Sequence, residues 1–490
     1  MRLLRSPVAV LLLLVAATLA AYQPALRGEF VWDDVDYIVL NETLREPGGL
    51  GRIWLEPGAT DQYYPLVFTS YWIEHRVFGD DTLGYHVVNV LLQAASAFLL
   101  WRVLVLLAVP GALLAAFVFA LHPVQVESVA WIAERKNVLS GVFFFATALA
   151  YLRFRPPTPS PSPTTPRWGW LAAAVALFAA ALLAKSATCT LPVALLLVTW
   201  WKAGRLDRTD AIALAPLFVL AASLPLLTVW IESAYVDQEG GSGLGWIERV
   251  VLAGRAATFY AGKLVWPANL IFIYPRWEID AGDVAQWLYP AGILLAVTAL
   301  WLSRRSIGPG PAVAVLLFLV LLAPALGLID FYFMRYSFVG DHFQYFASAA
   351  LIALVCAAAT RLAERTLPEG PASLRPILGG VVVAVLAVLT WQRSHVFTQE
   401  EGLWKDTLTR NDRAWMAWNN LGHCLLERGR PRVAAKYFSN AVALEPYAWE
   451  VYGGMAEAFK AIGDTKMVEG VYALVAERVA EKKARDAGGD

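Results

Sequence analysis

The chain has 490 residues, of which 58% are hydrophobic and 16% charged, with a mean hydropathy of +0.52. Soluble globular chains carry roughly 45–50% apolar residues, so composition excludes an ordinary soluble domain and points to a polytopic membrane protein. Forty basic and forty acidic residues cancel, which removes any global bias toward nucleic acid. Cys189, Cys356 and Cys424 are few and scattered, and specify neither a disulfide framework nor a zinc site.

In chain order, Arg2 and Arg5 precede an apolar run near 5–22. We read this run as an uncleaved first span, with cleavage after Ala17–Ala21 as the alternative. Further apolar segments lie near 84–107, 109–121, 137–154, 169–185, 187–202, 211–230, 286–302, 312–329, 342–361 and 375–391. The expected fold is all-α, a helical bundle of about eleven transmembrane helices. With the N-terminus cytoplasmic, every inside loop is basic, as the positive-inside rule requires. One such loop contains the Pro156–Pro166 linker.

The outside segments are then 22–83, 122–136, the hairpin around Lys185, 231–287, 330–341 and everything after about 390. From Trp415 the sequence follows a tetratricopeptide pattern of period 34, with Trp418, Leu421, Gly422, Ala434, Phe438, Ala441 and Pro446 on signature positions. We expect a membrane domain over 1–395 and an extracytoplasmic repeat domain over 396–490, with repeats near 415–448 and 449–482.

Ionisable residues gather on the outside face. EFVWDDVDYIVLN (Glu29–Asn41) sets Asp33 and Asp34 beside Trp32 at a membrane mouth. The bland reading is a solvated loop or a helix cap; the functional one is a catalytic carboxylate. LHPVQVESVAWIAERKN brings His122, Glu127, Glu134, Arg135 and Lys136 to the start of a span, where cations and free backbone N–H groups suit a phosphate. The alternative is a surface turn in which Glu134 pairs with a neighbouring cation. Lys185 is a lone cation between apolar runs, snorkelling or binding a lipid phosphate. Arg255 lies on a helix-like stretch of the long outside segment, after a candidate lid, QEGGSGLG (Gln238–Gly245). Arg335, Asp341, His342 and Tyr345 cluster at the mouth of the tenth span. No metal is assigned to His122 by its spacing.

The order FVWDD, YYPL, GYHVVNVLLQ, ALHPVQVESVAWIAERKNVLS, LLAKSATCTLPVALLL and VGDHFQYFAS, followed by repeats, resembles the transmembrane-and-tetratricopeptide-repeat O-mannosyltransferases, a GT-C class of integral-membrane glycosyltransferases. The resemblance implies a polyprenyl-phosphate sugar donor, an extracytoplasmic protein or other acceptor, and Asp33 and Asp34 at the catalytic centre. Arg135, Lys136, Lys185, Arg255 and His342 are the candidate donor phosphate ligands. His122, Glu127, Arg335, Asp341 and Tyr345 are further site candidates. His342 stands where relatives carry another basic residue. No resident cofactor follows from it, and a divalent cation remains an option. Two other classes compete with the enzyme: a membrane scaffold using its repeats for protein interaction, and a lipid or polymer transporter. A scaffold needs no acid cluster at a membrane mouth, and a transporter places its ionisable groups near mid-membrane.

Overall fold

The computed structural model describes residues 6–156, 168–235, 243–367 and 374–487. Most of the expected Pro156–Pro166 linker, and the Gln238–Ser242 part of the candidate lid, lie outside the described residues.

All regular structure among the described residues is helical. The helices of ten residues or more in the membrane region are α1 (Pro7–Ala21), α2 (Pro65–Phe78), α3 (Thr82–Leu106), α4 (Ala112–Leu121), α5 (Arg135–Phe154), α6 (Trp168–Ala184), α7 (Leu191–Ala203), α8 (Arg208–Tyr235), α9 (Trp246–Val265), α10 (Leu288–Leu302), α11 (Gly310–Leu322), α12 (Tyr345–Thr366) and α13 (Leu374–Ser394). Each of the eleven apolar runs thus forms a helix. Six helices are long and apolar enough to cross a bilayer, or seven if the bent pair Ala112–Leu121 and Pro123–Ala130 is one span. The count of eleven is therefore not reached by length. At 1.5 Å per residue the 15 residues of α1 cover only about 22 Å, against a hydrocarbon core of about 30 Å. The protein is an integral membrane protein by these helices.

The chain divides into two compact units. The first holds residues to Leu270, then Glu278–Arg335 and Asp341–Phe397. The second holds Thr398 onward together with two short segments, Ile271–Trp277 and Tyr336–Gly340. Within the second unit Asn411 donates to the Ile273 carbonyl (3.0 Å), and Phe272 packs edge-on against the buried Trp404. The rest of this unit is α14 (Glu400–Arg410), α15 (Trp415–Glu427), α16 (Pro431–Leu444), α17 (Trp449–Ile462) and α18 (Thr465–Ala487). Trp415 and Trp449 open α15 and α17 one period apart, as Pro431 and Thr465 open α16 and α18. Gly422 explains the close seam between α15 and α16: a Cβ there would come 2.8 Å from the Phe438 ring.

The segment that positions the site is the connector between α4 and α5. His122 is extended (φ −77°, ψ 131°), as a residue before proline prefers, and its Nδ1 accepts the Val124 N–H. The chain then makes a short turn (Pro123–Gln125), one helical turn (Val126–Ala130) and another short turn (Ile132–Glu134) before α5 begins. A surface turn was one expectation for this stretch. Instead every residue from Leu121 to Arg135 is buried. Its polar groups are met from within: the Tyr71 hydroxyl donates to the Ile132 carbonyl (2.8 Å) and Asn89 to the Val129 carbonyl (3.2 Å).

Candidate active site

The two aspartates of the opening motif have different environments. Asp34 is fully buried. Its two oxygens accept the Val31 N–H (3.0 Å) and the Ala133 N–H (2.6 Å). It therefore ties the segment after α1 to the turn ahead of α5. Burial drives its carboxyl well above the usual range, opposed by these backbone donors. Asp33 is half-buried and makes no hydrogen bond or ion pair with another described residue. Burial pushes its carboxyl up to about 7, with Lys136 pulling it down and Asp36, Glu134 and Asp61 adding to the rise. A carboxylate near neutrality with open coordination suits a general base; one with both oxygens occupied suits a staple. Asp36 is exposed.

Trp32, just before the pair, has a positive φ of 49°. For a bulky residue that is a strained backbone. Its indole stacks on Trp131, with centroids 5.3 Å apart and planes 19° apart. This stack and the Asp34 staple bind the same two segments to each other.

Lys136 and Lys185 converge on Glu134. Glu134 Oε1 lies 3.0 Å from Lys136 Nζ, and Oε2 lies 3.5 Å from Lys185 Nζ. Lys185 also donates to Asn137 Oδ1 at 2.7 Å. Asn137 in turn donates to Ser128 and the His342 carbonyl, both at 3.0 Å, and to Glu134. The Lys136 ammonium sits 5.8 Å from the Tyr37 ring and 5.9 Å from the Trp131 ring. Both lysine side chains keep 12% exposure while Glu134 keeps 1%, so the cations retain some solvent access and the acid between them has almost none. Burial lowers the Lys185 ammonium to about 8, with Glu134 opposing the fall.

Several expected ligands are corrected. Arg135 is not a phosphate ligand. It is wholly buried, and its guanidinium is consumed: it donates to Asn89, Ser70, the Tyr85 carbonyl and both oxygens of Glu74. Five N–H donors meet five acceptors, which leaves none for a ligand. His342 is also buried, and its Nδ1 is bonded to Glu127 Oε1. Arg255 reaches the Glu278 carbonyl (3.5 Å) and lies over the Tyr289 ring; these contacts belong to the segment after α9 and not to the lysine cluster. His122 Nε2 meets the Leu264 carbonyl at 3.0 Å, which makes it a link to α9. Tyr345 is a packing residue: its buried hydroxyl donates to Gln93 Oε1 at 2.6 Å. Arg335 contacts Tyr332, and Asp341 is buried beside His342.

The pairing of Glu134 with a neighbouring cation, one of the two readings of this stretch, is what the structure shows, and Asn137, not singled out from the sequence, joins the same cluster. Their spacing of three at a helix start put both on one face, and that was the available signal. Among the described residues no group of three or more His, Cys, Asp or Glu is arranged to hold a metal ion.

Fold and site together define a helical integral membrane protein that carries an unengaged carboxylate, Asp33, and a lysine pair gathered on one buried acid. The chain is homologous to protein O-mannosyl-transferases. It is 22% identical over 473 residues to protein O-mannosyl-transferase F38B6.6 of Caenorhabditis elegans, covering 89% of this chain and 63% of that one. It is 22% identical over 504 residues to human protein O-mannosyl-transferase TMTC3, covering 94% and 54%. A 166-residue stretch is 31% identical to mouse TMTC2, covering 32% of this chain and 20% of that protein. The chain thus spans less than two thirds of the length of these relatives. No family model matches it. Among solved structures, an Archaeoglobus fulgidus oligosaccharyltransferase aligns with 82% of this chain and 57% of that chain, at a TM-score of 0.42 and 13% identity. Mycobacterial arabinofuranosyltransferase AftD aligns with 85% and 28%, at 0.40 and 16%.

Proposed function

We propose that this protein is a membrane glycosyltransferase that moves a hexose, with mannose the first candidate, from a polyprenyl-phosphate donor to a hydroxyl of an extracytoplasmic acceptor. The observation that carries this reading is Asp33: a half-buried carboxylate that makes no hydrogen bond or ion pair with another described residue and feels the charge of Lys136. Its homology to protein O-mannosyl-transferases supports the same chemistry.

In this mechanism Asp33 accepts the proton of the acceptor hydroxyl. The hydroxyl oxygen bonds to the anomeric carbon as the bond from that carbon to the phosphate oxygen breaks, with inversion. Lys136 and Lys185 leave Glu134 for the phosphate and stabilise the charge on the leaving group. Asp34 holds the two segments in register and takes no proton. The site faces the extracytoplasmic side, the N-terminus is cytoplasmic, and the C-terminal helical pairs take the acceptor or a protein partner.

The test is transfer by the purified full-length protein, with a polyprenyl-phosphoryl-mannose donor and peptide acceptors. Asp33→Asn should lose transfer and keep its folded elution and melting profile. Wild-type-like transfer by that variant would overturn the reading.

A further inference from the structure

The turn that leads into α2 reaches the lysine cluster, and the transfer chemistry leaves it without a role. Its backbone is held in place. The Gln62 carbonyl accepts the Tyr64 N–H (3.0 Å) and the Thr60 hydroxyl (2.8 Å). The Tyr63 hydroxyl donates to the Trp54 carbonyl (3.3 Å). The Tyr64 hydroxyl lies 3.4 Å from the hydroxyl of Ser186, the residue after Lys185. At the start of the turn stands Asp61, whose charge is felt by Asp33. One short segment thus adjoins Asp33, Lys136 and Lys185 together.

Gln62 is half-buried in this turn. Its Oε1 meets Lys136 Nζ at 3.5 Å. An ammonium only donates, so the amide oxygen faces it and the amide nitrogen faces away. That nitrogen, Nε2, makes no hydrogen bond with another described residue. Withdrawing part of an amide from water without a partner costs free energy. The contact with Lys136 is at the limit of hydrogen-bond reach, so it yields readily to a ligand.

We propose that Gln62 binds hydroxyl groups on the sugar of the donor, a contact separate from the phosphate contact of the lysines. The proposal rests on the lipid-phosphate donor reading above. Once Lys136 turns to the phosphate, Oε1 is released, and Gln62 offers two N–H donors and an acceptor with no net charge. A phosphodiester oxygen only accepts, so it leaves the amide oxygen unpaired and gains its counter-charge from the lysines alone. A sugar hydroxyl both donates and accepts, and two neighbouring hydroxyls match both ends of one amide. The placement agrees. The phosphate on the lysines and the acceptor hydroxyl on Asp33 put the anomeric carbon between them. Gln62 adjoins the lysine side of that position, and its neighbour Asp61 adjoins the Asp33 side. No bond to the sugar forms or breaks in this step.

The experiment measures equilibrium binding to the purified full-length protein with no acceptor present. Two probes of equal charge are used: polyprenyl-phosphoryl-mannose, and polyprenyl methyl phosphate, a phosphodiester without a sugar. Gln62→Met keeps the length of the side chain and removes its amide. The Kd of this variant for the mannosyl probe should rise about 5- to 25-fold, at about fivefold for each neutral hydrogen bond lost, while its Kd for the methyl probe stays within about twofold of wild type. Gln62→Ala repeats the measurement if Gln62→Met does not fold. Equal losses for both probes would make Gln62 a residue that acts through Lys136 on the phosphate, and would overturn the proposal. Unchanged affinity for the mannosyl probe would overturn it too. Either result leaves the donor reading intact. Failure of the wild-type protein to bind the mannosyl probe strikes down that reading and this proposal with it.

Discussion

Arg135 and Lys136 are neighbours at the start of one helix, yet they belong to opposite kinds of site. Arg135 is wholly buried and bonded at every donor, with Glu74 as its counter-charge. Lys136 keeps part of its surface and leans on Glu134, an acid shared with Lys185. The same contrast separates Asp34 from Asp33. In each adjacent pair one residue is saturated by protein partners and the other is left available. The difference teaches that charge type and position do not identify a binding group; the number of unsatisfied bonds does.

Four experiments break or sharpen this comparison. The largest expected effect is on chemistry. Asp33→Asn should lower the transfer rate by about 10²–10⁴-fold, the range for a general base, measured with purified protein. The folded-state carboxyl is raised to about 7 from 3.8, so between those values the folded protein binds more protons than the unfolded one. Its stability contribution is complete below 3.8 and is lost as pH rises to about 7. Asp33→Asn removes that loss, so at pH 8 the variant should melt above wild type while remaining inactive.

Arg135→Met comes next. Breaking a buried pair costs about 3–5 kcal/mol because the partner is stranded. The outcome should be a lowered melting temperature, or poor recovery of folded protein, largely relieved by the second change Glu74→Leu. If instead the single variant is stable and only donor binding suffers, Arg135 belongs with the ligands after all.

Asp34→Asn should cost about 1–3 kcal/mol, since one of the two buried N–H groups loses its acceptor. Thermal melting reads this directly. Transfer should fall less than in Asp33→Asn, and a reversed ranking of the two variants would exchange their roles. The smallest effect expected is Lys185→Gln. One phosphate contact is lost and one buried acid is less screened, so donor Kd should rise by about 10- to 150-fold, a charged hydrogen bond being worth about 1.5–3 kcal/mol. Unchanged affinity would remove Lys185 from the site.

Much of the architecture was legible along the chain. Each apolar run expected to be helical is helical among the described residues, because twenty or so apolar residues have no other way to satisfy their backbone in hydrocarbon. The span count was less legible. Runs such as Pro7–Ala21 and Gly310–Leu322 are apolar but short, and hydropathy measures polarity better than length. The 34-residue step of the C-terminal helices follows from small and large residues at fixed offsets, as with Gly422 under Phe438.

The sequence by itself determined which groups could act: an Asp-Asp pair, an Arg-Lys pair, a lone lysine and a histidine, all beside membrane helices. Those are local facts of composition and spacing, readable without coordinates. Only the tertiary structure decided which of them are spent. The Val31 and Ala133 amides claim Asp34, Glu74 and Asn89 claim Arg135, and Glu127 claims His342. Four of these five partners lie 46 to 215 residues away along the chain, so no local pattern encodes them. A buried charge must find its partners wherever folding brings them, and what is left over is the site.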